Sequence, residues 1–89
     1  MEIIVITNIS DTEQDLEGMA LLNPVTMEHV LFPSVTLPPG GSFKVYNGLE
    51  TGKITDGIKW LDEPVLRQSG DYVVLLNPAG RAIWYYVNP

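Results

Sequence analysis

The chain has 89 residues and no cysteine, which excludes a disulfide framework and a thiolate metal site and leaves room for one core rather than two. Eleven Asp and Glu against five Lys and Arg give a net charge of -6, and the cations Lys44, Lys53, Lys59, Arg67 and Arg81 form no cluster, so no nucleic-acid partner is expected. No stretch approaches the roughly 18 apolar residues of a membrane span, and the tetrad Ile3 to Ile6 has no basic leader, so the expectation is a complete, signal-free cytoplasmic chain without membrane contact.

Ile3-Ile4-Val5-Ile6-Thr7 is β-branched throughout and predicts a strand, its continuous apolarity suggesting cover on both faces. Asn8 to Asp15 is rich in residues that hydrogen-bond their own backbone, and reads as a solvent-facing loop. Leu16 to Leu22 predicts a short strand or bulged edge, because Gly18 weakens a helix and Asn23-Pro24 ends it. A further strand, Met27 to Phe32, is expected to carry the only histidine, His29.

Leu37-Pro38-Pro39-Gly40-Gly41 is a corner: two prolines fix φ and remove donors, and two glycines then allow positive φ. The strand that follows alternates, with Phe43 and Val45 inward and Ser42, Lys44 and Tyr46 outward. Asn47 to Gln68 is irregular, anchored by Ile54, Ile58, Trp60 and Leu61, and long enough to suggest a functional loop. Asp71 to Leu76 and Arg81 to Val87 are two strands joined by Asn77-Pro78-Ala79-Gly80, the composition of a type I turn with a G1 bulge. The element spacing predicts an all-β, Ig-like antiparallel sandwich of about seven short strands in a single domain, residues 1–89.

Catalytic constellations are missing from this pattern. A hydrolase triad needs a nucleophile, a base and an orienter converging in space, and the one histidine, His29, sits in an apolar context beside Val30 and reads as a surface or packed histidine. Asp11, Glu13 and Asp15 imitate the opening of a calcium loop, but Leu16 and Leu22 occupy the glycine and bidentate-acid positions, and Glu17 offers only an improvised cation site. Asn8-Ile9-Ser10 matches a glycosylation sequon and is read as turn chemistry. No enzyme activity, cofactor or metal is expected. Trp84 and Tyr86 share one strand face and Tyr85 takes the other, so one face is expected in the core and the other presents aromatic surface. Trp60, Leu61, Tyr85, Tyr46 and Trp84 are the candidate protein-contact residues.

Asn8-Ile9-Ser10-Asp11, Asp15-Leu16-Glu17-Gly18, Leu37-Pro38-Pro39-Gly40-Gly41 and Ser69-Gly70-Asp71-Tyr72-Val73-Val74-Leu75-Leu76-Asn77-Pro78-Ala79-Gly80 follow in an order that resembles the lamin tail domain. Met19 stands where that family usually has tryptophan. The resemblance implies a non-enzymatic Ig-like module that binds other macromolecules, and the partner expected here is protein, met as an adaptor or structural component of a larger assembly. Small virion components of tailed viruses look similar in the pattern running from Asn8 through Leu37 to Val45, which implies the alternative of a capsid decoration or accessory protein in repeated copies on a virion.

Overall fold

In a computed structural model that describes residues 1–48 and 54–89, all regular secondary structure among the described residues is β. The strands are β1 (Glu2–Thr7), β2 (Gln14–Asp15), β3 (Ala20–Leu22), β4 (His29–Leu31), β5 (Thr36–Leu37), β6 (Ser42–Asn47), β7 (Gly57–Lys59), β8 (Tyr72–Leu76) and β9 (Ala82–Val87). The fold is all-β and sandwich-like. Among the described residues seven strands have three residues or more, and the two-residue β2 and β5 pair only with each other. Among the described residues every pairing is antiparallel except β6 with β7, which is parallel, a departure from the wholly antiparallel expectation.

The chain forms two units, each assembled from separate segments. The first comprises Met1–Asp15 and Thr36–Val65 and holds the sheet β1-β6-β7 and the β2–β5 ribbon. Opposite Ile4 and Ile6 stand Val45 and Phe43, both buried as the alternation of β6 predicts. Contrary to expectation, β1 is not covered on both faces: Ile3 and Val5 are 48% and 51% exposed, because only the even-numbered residues of β1 face inward and the face shared with Lys44 and Tyr46 is not buried. β7 lies within the stretch expected to be irregular, and Leu49 to Lys53 of that stretch lie outside the described residues.

Two buried asparagines hold this unit together. Asn8 donates from Nδ2 to the carbonyls of Thr12 (2.8 Å) and Leu37 (3.0 Å), while its Oδ1 accepts from the Ser10 amide and hydroxyl. Its backbone bonds Gly41 and Gly40 in turn, so the first loop and the proline corner are one hydrogen-bonded object. Gly40 takes the positive φ of the corner, whereas Gly41 is small for lack of room, a Cβ there falling 2.8 Å from Pro38 Cδ. Asn47, fully buried, donates to Glu2 Oε1 at 2.7 Å and accepts from the Leu61 amide at 2.9 Å; Glu2 Oε1 also accepts from the Val65 amide. This network staples the start of β1 to the segment after β7.

The second unit comprises Leu16–Val35 and Leu66–Pro89 and holds the sheet β4-β3-β8-β9. The expected strand over Leu16 to Leu22 shortens to β3, because Gly18 turns the chain at φ 81°, and that over Met27 to Phe32 shortens to β4, because Met27 adopts φ 66°. Met27 closes a hairpin in which Asn23 Oδ1 accepts from the Val25 and Thr26 amides, the same Asn-Pro device that opens the β8–β9 turn. In that second turn Gly80 donates to Asn77 O, Asn77 N to Arg81 O, and Gly80 has φ 81°, the expected type I turn with its left-handed residue. Arg67 holds Glu28 with both guanidinium ends, at 3.3 and 3.1 Å.

Candidate functional site

β9 departs from every other long strand: all six of its residues are exposed. Trp84 and Tyr85 are each 67% exposed and Tyr86 is 54% exposed, so the expectation that one face would be core is corrected. The register explains why. Val73 and Leu75 oppose Tyr86 and Trp84, and Val73 is the one buried residue of β8, but β9 is the edge strand and among the described residues no further strand flanks it. On the other face Tyr72 and Val74 oppose Val87 and Tyr85. These four, with Ile83 and Trp84, line an open groove of about 580 Å³.

The backbone edge is equally defined. Asn88 N donates to Asp71 O at 2.7 Å. In an antiparallel ladder such pairs alternate, so Tyr86 and Trp84 also turn their backbone groups to β8. The N–H and C=O of Tyr85 and Val87 therefore point away from it, and among the described residues no strand pairs with that side. The register shift between Leu75 and Leu76 leaves Ile83 as an extra residue, a bulge that ends the regular edge on one side. Pro89, without an N–H, ends it on the other.

The remaining candidates sit in the first unit. Tyr46 projects from β6 and donates its hydroxyl to Asp56 Oδ1 at 2.7 Å, and the Trp60 amide donates to the Tyr46 carbonyl. Trp60 and Leu61 are half-buried. The Tyr46 hydroxyl and then the Lys44 ammonium, 3.0 Å away, hold the Asp56 carboxyl below its usual range, and Asp56 in turn raises Lys44. Glu28 is likewise lowered, chiefly by the Arg67 guanidinium. His29 is exposed, with Nδ1 3.3 Å from the Met27 carbonyl. Asp11, Glu13 and Asp15 are exposed, and among the described residues no three or more His, Asp or Glu side chains are grouped to hold a metal ion.

Tyr72, Val74, Ile83 and Val87 were not among the sequence candidates. Counting outward from the Asn77–Gly80 turn would have paired Tyr72 and Val74 with β9; the bulge at Ile83 leaves no such signal. No protein-family model matches the chain, and no curated protein matches it.

Proposed function

We propose that this protein is a non-catalytic interaction module, an adaptor or structural component of a larger assembly, which binds other protein by adding a strand to β9. The observation that carries this reading is a six-residue edge strand exposed on both faces, bearing Trp84, Tyr85 and Tyr86 and no charge. Edge strands are ordinarily blunted by lysine, proline or inward-facing charge, and β9 has none of these between Ala82 and Val87. Outward N–H and C=O groups supply the ladder bonds of strand addition, and the groove beside Tyr85 supplies a place for alternate side chains of the incoming strand. Tyrosine and tryptophan are the residues over-represented among contacts that dominate binding energy. The resemblance to the lamin tail domain supports the same class of function.

The test is an array of seven-residue strand-forming peptides, with amide exchange followed on the domain. A binding peptide should slow exchange at Tyr85 and Val87, and Tyr85→Lys should weaken it at least tenfold while the circular dichroism spectrum is unchanged. Protection elsewhere, or none with any peptide, would reject the β9 site.

A further inference from the structure

Resting on that reading, we infer that the occupant of the β9 edge is the β9 of a second copy of this chain, paired antiparallel about a two-fold axis through Tyr86. The hydrogen-bonding groups decide the register. Those directed outward before the bulge are the N–H and C=O of Tyr85 and Val87, following from the Asn88–Asp71 bond and the ladder alternation. With the axis at Tyr86, Tyr85 faces Val87 of the second copy and Val87 faces its Tyr85. All four groups on each strand are then satisfied, and none is left over. Trp84 comes opposite Asn88 and Ile83 opposite Pro89, so the bulge and the proline bound the pairing at both ends.

The side chains agree with this register. Tyr86 meets Tyr86 across a non-hydrogen-bonded position, where cross-strand side chains are closest, and the other face carries two tyrosine–valine pairs. Charge favours the same edge. Two copies of a chain with net charge -6 repel over most of their surface, yet Ala82 to Val87 carries no charge at all. The edge strand β1 lacks these properties, since one of its faces is covered and it begins at Glu2.

The contact is small. Aromatic side chains contribute about 150–250 Å² each, and exposures of 67%, 67% and 54% leave roughly 280–470 Å² per copy in the three aromatics. Doubled, this falls below the roughly 1,200 Å² where stable complexes begin. Pairing is therefore weak in dilute solution. Because the interface is isologous, it closes at two copies and does not propagate.

Sedimentation velocity from about 10 µM to about 1 mM should show a monomer shifting reversibly to a dimer, a range that corresponds to weak affinity. Tyr85→Lys should hold the protein monomeric throughout. As the chain has no cysteine, Tyr86→Cys provides a register probe: on oxidation it should form a covalent dimer, and Tyr85→Cys should do so at least tenfold more slowly. A protein that stays monomeric at the highest concentration overturns the inference, as does a dimer that survives Tyr85→Lys or cross-links equally at both positions. If a monomer shows Tyr85 and Val87 protected by a foreign peptide, self-pairing falls and the interaction reading stands; with neither effect, both fall.

Discussion

Gly57 is the position at which a single methyl group should do most damage. A Cβ built on it would lie 1.7 Å from the Lys44 carbonyl oxygen and 2.6 Å from the carbonyl carbon, both backbone atoms that cannot rotate aside. To restore ordinary contact, β7 must withdraw from β6 by roughly 1.5 Å, which carries 3.0 Å hydrogen bonds beyond useful length. The bonds at stake include Lys44 N to Asp56 O and Trp60 N to Tyr46 O, both 3.0 Å. At about 1 kcal/mol each, and with Ile58 pulled from its place beside the fully buried Val45, Gly57→Ala should cost about 3 kcal/mol. The control is Gly40→Ala, where φ is 78° but no atom lies within 4 Å of the added carbon; conformational strain alone predicts about 1 kcal/mol. Urea denaturation followed by circular dichroism separates the two, since a slope of roughly 1–1.5 kcal/mol/M converts the larger loss to a midpoint shift of about 2–3 M. If Gly57→Ala proves no worse than Gly40→Ala, β7 does not approach Lys44 as described and the parallel pairing is wrong.

Two further substitutions test the first unit. Asn47→Ala removes a fully buried side chain that joins Glu2 to the Leu61 amide and leaves that amide without its acceptor, so urea denaturation should show a loss of about 2–4 kcal/mol. Asp56 is held below its ordinary pKa by Tyr46 and Lys44, so its contribution to stability is present at neutral pH and disappears as pH falls through the folded-state value, below the usual carboxylate range. Melting temperatures of wild type and Asp56→Asn should therefore converge between pH 7 and pH 2, and parallel curves would show that the carboxylate contributes nothing.

Turn chemistry and alternation made much of this architecture legible from residues alone. The proline corner, the Asn77–Gly80 hairpin and the inward pair Phe43 and Val45 depend on local rules, φ preference and period-2 facing, that need no knowledge of neighbours. What failed depended on where a strand sits in its sheet. Ile3 and Val5 read as buried on their apolar character, yet the sheet face they share with Lys44 and Tyr46 is not buried, which leaves them half-exposed. Met27 reads as strand because nothing about methionine signals φ 66°; the cue was Asn23-Pro24, which repeats the Asn-Pro of the second hairpin. The parallel pairing of β7 was hidden as well, since Gly57 looks like loop punctuation until Lys44 is known to lie against it.

The same distinction governs the candidate site. Trp84, Tyr85 and Tyr86 were conspicuous as aromatics, but an aromatic strand in the middle of a sheet would be core and of no use to a partner. Here the strand lies at the edge, and all three aromatics stay exposed. An uncharged aromatic edge open along its whole length is a hazard, because successive chains could add without limit. Here the bulge at Ile83 interrupts the ladder and Pro89 offers no donor, which confines the accessible pairing groups to Tyr85 and Val87. That confinement arises from the backbone on either side of the aromatics rather than from the aromatics themselves.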